Sequence, residues 1–210
     1  MSETFKWVRQ GLMVVSTLII TACATQSERP SGVEVVSTQA WFAEHPVWSV
    51  SGRVALSDGE SGGQLNITWA DRQDHVEVVL RSRLGGRWWR LVFNDEQAQL
   101  SAHDRPTERL GDADELVAQA TGWPVPVTAM HDWIRGLEVP PKSAGDAANG
   151  VDDAIINEGG WRVEVTEHGW VTGATGQAVR LPKRLQAERP PHRIRVVFGE
   201  WEWAKNQPNG

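Results

Sequence analysis

The 210-residue sequence predicts a mainly β fold, in which two groups of strands form a long, curved antiparallel sheet with helices inserted between the groups. Apolar and polar residues alternate along residues 48–103 and again from residue 161 onward, and this period of two is typical of strands. Residues 112–136 instead have a helical spacing with capping residues. With 40% hydrophobic and 23% charged residues, the composition is that of one ordinary globular domain.

Charge and aromatic content narrow the class of protein. The formal net charge is −6, from 27 acidic and 21 basic residues, so a nucleic-acid partner is not expected. Twelve Trp, four Phe and no Tyr mean that indoles supply most of the large apolar contacts of a core. The single Cys excludes a disulfide within the chain and a Cys-based zinc finger.

Residues 1–22 have the form of a signal peptide. Lys6 and Arg9 precede an apolar run over residues 11–20, which is too short to cross a bilayer and is followed by small residues and Cys23. The end of this segment resembles a bacterial lipobox, in which the Cys becomes the first residue of the mature chain and carries acyl chains. Several acyl chains on one residue provide a stable membrane anchor. The alternative is an ordinary secretory signal that ends near a free Cys.

The remaining chain divides into a tether, one domain and a tail. Ala24 stands where inner-membrane lipoproteins often have Asp, so the resemblance to bacterial sorting rules implies the outer membrane. Residues 23–33 are mostly small or polar, which predicts a lipidated flexible tether. Residues 34–203 form the single expected domain, and residues 204–210 form a polar tail.

The domain is expected to begin with a short helix and two hairpins. Thr38 is the predicted N-cap of a helix that runs to His45. Turn-forming Gly, Asp, Asn and Ser residues separate the strands that follow, so the chain to residue 103 is expected to form a meander. These strands are predicted over residues 48–56, 64–69, 76–80 and 89–93, and a further strand is predicted at Ala98 and Leu100.

Two helices interrupt the β pattern. Asp112 is the expected N-cap of the first helix, whose acidic first turn suits the helix dipole, and Gly122 ends it. Two prolines in residues 123–126 break the helix. The second helix is predicted from Val127 to a stop at Gly136.

The second strand group follows a loop expected over residues 139–153. The loop is rich in Pro, Gly and small residues. Strands are predicted over residues 161–165, 170–172, 181–185 and 194–198, with Trp201 and Trp203 completing the pattern.

The sequence contains no recognisable catalytic motif and no metal-ligand spacing. The six His residues lie far apart, and no pair of carboxylates is assigned to acid and base roles. We therefore expect no catalytic residue, no metal site and no cofactor, in a protein that is not an enzyme. A hydrolase acting on lipids would need a nucleophile with a partner base, which the sequence does not offer.

A curved sheet with large inward side chains either fills its own interior or encloses a ligand cavity, and the residues leave both possibilities open. The candidate cavity residues are Trp48, Trp69, Trp89, Leu91, Met130, Trp133, Ile134, Trp161 and Trp201.

Several segments together resemble the outer-membrane lipoprotein receptor family LolB. Each segment is weak evidence alone, but together the segments occur in the family's order and span nearly the whole mature chain. The segments are the lipobox ending at Cys23, Trp48, Gly52-Arg53, Trp69, Leu84-Gly85, residues 122–126, residues 133–136, residues 160–163 and Trp201.

The resemblance implies an open antiparallel β-barrel with a helical lid around an apolar cavity, similar to the soluble periplasmic lipoprotein carrier. It also implies that a monomer accepts the acyl chains of lipoprotein cargo from that carrier and releases the cargo into outer-membrane lipid. The rival hypothesis is an outer-membrane lipoprotein of lipocalin-like build that binds another apolar ligand. Only the receptor needs a membrane-active loop.

Leu84 and Gly85 match the family's exposed loop, whose leucine is implicated in inserting cargo into the membrane. The family often has Pro before this leucine, and Arg83 stands there in this chain. An apolar hairpin tip flanked by arginines suits a bilayer with anionic headgroups. Trp88 is an expected interfacial anchor. The alternative is that Leu84 folds back on the sheet.

Overall fold

A single sheet of eleven strands organises the part of the chain described by the computed structural model. The described residues are 29–83, 86–137 and 155–204, with the backbone alone for residues 105–110 and 155–158. The strands are β1 (Glu34–Val35), β2 (Trp48–Ser57), β3 (Gly62–Asp71), β4 (Val76–Ser82), β5 (Trp88–Phe93), β6 (Ala98–Ala102), β7 (Arg105–Gly111), β8 (Ile155–Glu158), β9 (Trp161–Thr172), β10 (Gln177–Arg189) and β11 (His192–Trp203). The helices are α1 (Thr38–Glu44), α2 (Ala113–Thr121) and α3 (Val127–Arg135).

The strand order confirms an open antiparallel sheet with helices between two strand groups. The order is β7-β6-β5-β4-β3-β2-β11-β10-β9-β8, and neighbouring strands on this path are antiparallel. Strand β1 adds in parallel to β10. Strands β7 and β8 form the two edges and do not pair with each other in the described ranges, so the barrel is unclosed.

The pairing of β2 with β11 joins the two strand groups. Val54 lies opposite Val196 in this pair, and both side chains are buried on the inner face. Arg53 and Arg195 alternate with them and are exposed on the outer face. The inner face is therefore apolar, as a sheet with one covered face requires.

Helices α2 and α3 cover the inner face, and both confirm the predicted helices. The Asp112 carboxylate accepts a hydrogen bond from the Glu115 N–H at 3.0 Å, and Gly122 ends α2 with a left-handed φ of 78°. Helix α3 lacks a side-chain cap of its own. The Asp114 carboxylate of α2 accepts hydrogen bonds from the Thr128 N–H and hydroxyl instead, at 3.0 and 3.1 Å. The two helices are thus coupled at their N-terminal ends.

Helix α1 differs from the prediction at its first residue. The N-cap is Ser37, not Thr38, because Ser37 has the extended backbone of a cap and its hydroxyl accepts a hydrogen bond from the Ala40 N–H. Trp41 and Phe42 are buried, and Trp41 packs edge-on against Trp203 at 5.4 Å between ring centroids.

Three strands were not predicted, and several expectations lie outside the described residues. Strands β1, β7 and β8 are short or peripheral, and β9 is one continuous strand rather than two segments. The signal peptide, Cys23, Leu84 and Gly85, the loop over residues 139–153 and the tail beyond Ala204 are outside the described ranges. None of the described helices has the length and apolar character needed to cross a membrane.

Gly52 is expected to be essential for the packing of β2 against β11. A Cβ atom at Gly52 would lie 2.5 Å from the Val197 carbonyl oxygen, which is backbone and cannot rotate away. Gly52→Ala should lower the free energy of unfolding by about 1–3 kcal/mol, measured by urea denaturation. Gly63→Ala is the control, because a Cβ atom there meets nothing within 4 Å. Equal stability of the two variants would contradict this account.

Candidate functional site

An apolar cavity lies between the inner face of the sheet and helices α2 and α3. Strands β2 to β6 contribute side chains to one wall, and α2, α3 and the turn between them contribute the other. Thr121 is its single polar lining residue within the described ranges. The walls include Ile67, Trp69, Trp89, Leu91, Ala120 and Met130.

The cavity is narrow in this structure. The centre of a water-sized sphere can occupy about 40 Å³ of it, so the space accommodates a few small groups and not a long acyl chain. The apolar lining offers a water molecule too few hydrogen-bond partners to hold it in place. A long apolar ligand would therefore have to move the wall of side chains or the two helices outward.

The structure divides the candidate cavity residues into two sets. Trp69, Trp89, Leu91 and Met130 line the cavity. The remaining candidates lie elsewhere in the fold and do not touch it: they are Trp48, Trp133, Ile134, Trp161 and Trp201.

The candidates away from the cavity have other neighbours. Trp48, Trp133 and Ile134 are fully buried, and Trp161 lies 5.0 Å beneath the Arg189 guanidinium. Trp201 is half-buried and packs beside α1.

Some lining residues were missed as candidates although the sequence carried a signal for them. Val117 and Ala120 line the cavity from α2, and their helical spacing with Leu116 already marks one apolar stripe. Leu100 lines it from β6. Periodicity identifies which face of α2 is buried, but it does not say that a void lies beneath that face.

His131 attaches α3 to the sheet. Its imidazole is stacked with Trp48 at 5.9 Å and with Trp69 at 6.3 Å between ring centroids, and its Nε2 atom lies 3.4 Å from the Asp71 carboxylate. Its Nδ1 atom is buried and has no hydrogen-bond partner in the described part of the chain. At His131, helices α2 and α3, which form the lid, therefore contact the sheet through aromatic stacking and one long polar contact.

Burial controls the protonation of His131. Loss of solvent lowers the pKa of its imidazole below the ordinary 6.5, and the positive charge of Arg135 lowers it further. The carboxylates of Asp71, Asp132 and Asp95 act in the opposite direction and do not outweigh the burial. The neutral imidazole is therefore the stable form at neutral pH.

A second, open depression lies at the same end of the sheet and is polar. Its walls include the carboxylates of Asp71, Asp74, Asp95 and Asp132, so it is unsuited to an acyl chain. Across the described residues, no group of three or more His, Cys, Asp or Glu side chains is arranged to hold a metal ion.

The β4–β5 turn lies at the opposite end of the sheet from this depression. The Ser82 N–H donates a hydrogen bond to the Arg87 carbonyl at 2.9 Å, and Gly86 has a φ of 68° that favours glycine. Arg87 is exposed, while Trp88 is half-buried at the start of β5. Because Trp89 lines the cavity, its neighbour Trp88 projects to the outer face.

Stability should fall as the solution becomes acidic because of His131. Below about pH 6.5, His131 binds a proton in the unfolded chain but stays neutral in the folded chain, because folding lowers its pKa. The free energy of unfolding therefore declines as the pH falls from 7 towards the pKa of the folded state. Urea denaturation at a series of pH values measures this slope. His131→Gln should flatten it, and His103→Gln, which removes an exposed histidine, should not. An unchanged slope in His131→Gln would refute the assignment.

Sequence comparisons with known proteins identify the family of this chain. The family model described as Outer membrane lipoprotein LolB matches residues 46–201. The Outer-membrane lipoprotein LolB of Xanthomonas campestris pv. campestris (strain B100) is 30% identical over 169 residues, which cover 78% of this chain and 75% of that protein. The protein of the same name from Xylella fastidiosa (strain 9a5c) is 26% identical over 212 residues, which cover 93% of this chain and 95% of that protein.

A third relative extends the match over almost the full length. The Outer-membrane lipoprotein LolB of Xanthomonas axonopodis pv. citri (strain 306) is 28% identical over 220 residues, covering 96% of this chain and 98% of that protein. A crystal structure of a DUF1329 family protein from Desulfovibrio piger covers 81% of this chain and 92% of its own at a TM-score of 0.39 and 5% identity, which is too distant to carry an argument. The resemblance in the sequence is confirmed by the family model: the chain belongs to the LolB family.

Proposed function

We propose that this protein is an outer-membrane lipoprotein receptor that takes lipoproteins from a periplasmic carrier by binding their acyl chains and then inserts them into the outer membrane. The observation that carries the proposal is the apolar cavity beneath α2 and α3 in a chain of the LolB family. Fourteen of the fifteen lining residues are apolar, so the cavity favours hydrocarbon over any polar ligand.

The lid has the properties that reversible entry of an acyl chain requires. Helices α2 and α3 are coupled through Asp114 and Thr128 and can move as one unit. Their contact with the sheet at His131 consists of ring stacking and a 3.4 Å polar contact between a neutral imidazole and the Asp71 carboxylate. An outward shift of the pair would widen the narrow cavity along its length.

The energetics of transfer need no nucleotide or covalent chemistry. Burying one CH₂ group of an acyl chain is worth about 0.8 kcal/mol, so a chain of many methylenes supplies a large driving force wherever it finds an apolar surface. Transfer to the receptor and then to the bilayer requires only that each acceptor binds the acyl chains more tightly than the donor does. This function is that of a binding protein, not an enzyme.

Lipidation of Cys23 would hold the domain at the periplasmic face of the outer membrane. The names of the relatives describe outer-membrane lipoproteins, and the lipobox-like sequence before Cys23 provides the attachment point. The polar residues up to Val33 then act as the tether, and the leader over residues 1–22 is removed.

Filling the cavity should prevent acceptance of cargo. Ala120→Trp places an indole in a space of about 40 Å³ and should reduce transfer of a labelled lipoprotein from its carrier at least about tenfold. Ala118→Trp lies on the same helix and does not line the cavity, so it is the matched control. Circular dichroism checks the fold of both variants. Normal acceptance by a folded Ala120→Trp variant would exclude this cavity as the acyl site.

Leu84 should be needed for delivery and not for acceptance. A carboxylate in the sequence that connects β4 and β5 opposes entry into hydrocarbon, so Leu84→Glu should accept cargo from the carrier but transfer it poorly to liposomes. Val35→Glu changes another exposed apolar residue, at the other end of the sheet, and should behave like the wild type.

The same assay distinguishes the rival hypothesis. A wild-type protein that accepts no lipoprotein is not a receptor, and a small apolar ligand that copurifies with it would support the lipocalin-like alternative. Equal loss of acceptance and delivery in Leu84→Glu would contradict the separate roles of cavity and loop.

A further inference from the structure

One row of side chains crosses the outer face of four strands. Arg53 of β2 lies opposite Asn66 of β3, Asn66 lies opposite Arg81 of β4, and Arg81 lies opposite Trp88 of β5. Directly opposed residues project from the same face of a sheet, and the inward neighbour Val54 is buried, so all four project outward. We call these four residues the arginine row. Strands about 4.8 Å apart place the backbones of Arg53 and Arg81 about 10 Å apart.

The two guanidinium groups of the arginine row are unpaired in the part of the chain that the structure describes. Arg53 and Arg81 are both exposed, and neither makes an ion pair or a side-chain hydrogen bond there. Other outer-face cations differ in this respect, since Arg90 pairs with Glu77 at 2.6 Å and Arg184 pairs with Glu167.

The flanking outward positions on β2 and β3 add no negative charge. The adjacent outward positions of β2 and β3 are Ser51 and Thr68 on one side and Ala55 and Gln64 on the other. Arg83 and Arg87, which flank the β4–β5 turn, are also exposed. Asp58, Glu60 and Asp104 lie in turns at the same end of the sheet, but the four arginines outnumber them, so this corner of an acidic protein is a positive patch.

Trp88 adds an indole to this positive patch. The side chain is half-buried on the outer face beside Arg81, so part of an apolar ring faces outward next to a cation. Indoles with neighbouring basic residues are typical of surfaces that rest at the headgroup level of a membrane, where anionic lipids attract the cations.

The tether joins the folded domain at the end of the sheet that is farthest from this patch. Glu34 and Val35 pair with Gln177 and Ala178, next to the β9–β10 turn, which lies at the end where β2 begins. The ten residues of β2 separate the two ends of the sheet by about 30 Å.

The tether length opposes an upright domain. The eleven residues after Cys23, up to Glu34, span at most about 40 Å when fully extended and about 18 Å on average as a flexible chain. With the strands upright and the β4–β5 turn at the membrane, the tether would have to span about 30 Å, which is well beyond its average of about 18 Å and about three quarters of its maximum length. A domain that lies on one face of its sheet avoids this requirement.

We propose that the arginine row docks on an anionic phospholipid surface, so that the receptor lies on the outer face of β2 to β5 while the cavity and its lid face away from the membrane. The proposal rests on the proposed function, because it assumes the anchor at Cys23 and a hairpin that reaches the bilayer. In this orientation both the tether and the β4–β5 turn reach one membrane. The lid remains accessible to an incoming carrier.

Energy transfer from the protein to the bilayer measures this orientation. The lipidated full-length mature protein is reconstituted in vesicles of phosphatidylethanolamine and phosphatidylcholine, with or without about a quarter of phosphatidylglycerol, and with an acceptor dye on the lipid headgroups. The donor dye is attached at Thr68→Cys on the outer face or at Glu115→Cys on α2, both exposed positions. On anionic vesicles the Thr68 label should transfer energy more efficiently than the Glu115 label.

Charge reversal tests the row itself. Arg53→Glu combined with Arg81→Glu should lower the population of domains lying on this face at least about tenfold, which brings transfer from the Thr68 label to its value on neutral vesicles. Arg72→Glu combined with Arg162→Glu changes the net charge equally at exposed positions outside the patch and should leave transfer unchanged. High salt should reproduce the effect of the first pair on the wild type.

The outcomes separate this proposal from the proposed function. Transfer that is unaffected by phosphatidylglycerol, by salt and by reversal of Arg53 and Arg81, or that is stronger from the Glu115 label, overturns the docking face. Acceptance of lipoprotein from the carrier is measured on the same samples. If acceptance and delivery persist without this orientation, only the docking face fails, whereas absence of acceptance in the wild type means that the receptor function itself fails.

Discussion

The need to cover the inner face of an open, curved sheet governs the whole structure. The strands from β7 to β8 form one continuous ladder with an apolar inner face, and within the described residues the two edges do not meet. A face of this kind cannot be left in water, and an unclosed sheet does not cover it by itself. Helices α2 and α3, inserted between the two strand groups, bury it and leave a narrow void against Trp69 and Trp89.

The alternation of a strand assigns different tasks to neighbouring residues. Trp88 and Trp89 are adjacent in sequence, but one lies on the outer face beside Arg81 and the other lines the cavity. A shift of one residue in the register of β5 would exchange them and destroy both surfaces. The same logic places Arg53 outside and Val54 inside on β2. A single sheet thereby carries the proposed acyl cavity on one side and the proposed membrane-docking face on the other.

The contacts between His131 and the sheet are compatible with the outward movement of α2 and α3 that we propose for acyl-chain entry. The ring of His131 is stacked with two indoles, and the neutral imidazole needs no counter-charge, so an outward shift of α3 separates no ion pair at this residue. The Asp114–Thr128 contact instead lies within the lid, where it keeps α2 and α3 together.

The sequence by itself determined the β-rich class, the two helices with their caps at Asp112 and Gly122, most strands and the family, because these depend on local period, capping chemistry and ordered motifs. It did not reveal β7, whose Arg-Pro-Thr-Glu-Arg sequence lacks an apolar alternation and is stabilised as an edge by pairing with β6.

Only the tertiary structure decided which large side chains border a void. Trp48 and Trp69 have the same inward periodicity and both are buried, yet only Trp69 borders the cavity. It also brought Arg53 and Arg81 into one row, because that neighbourhood depends on the register of three strands and not on spacing along the chain.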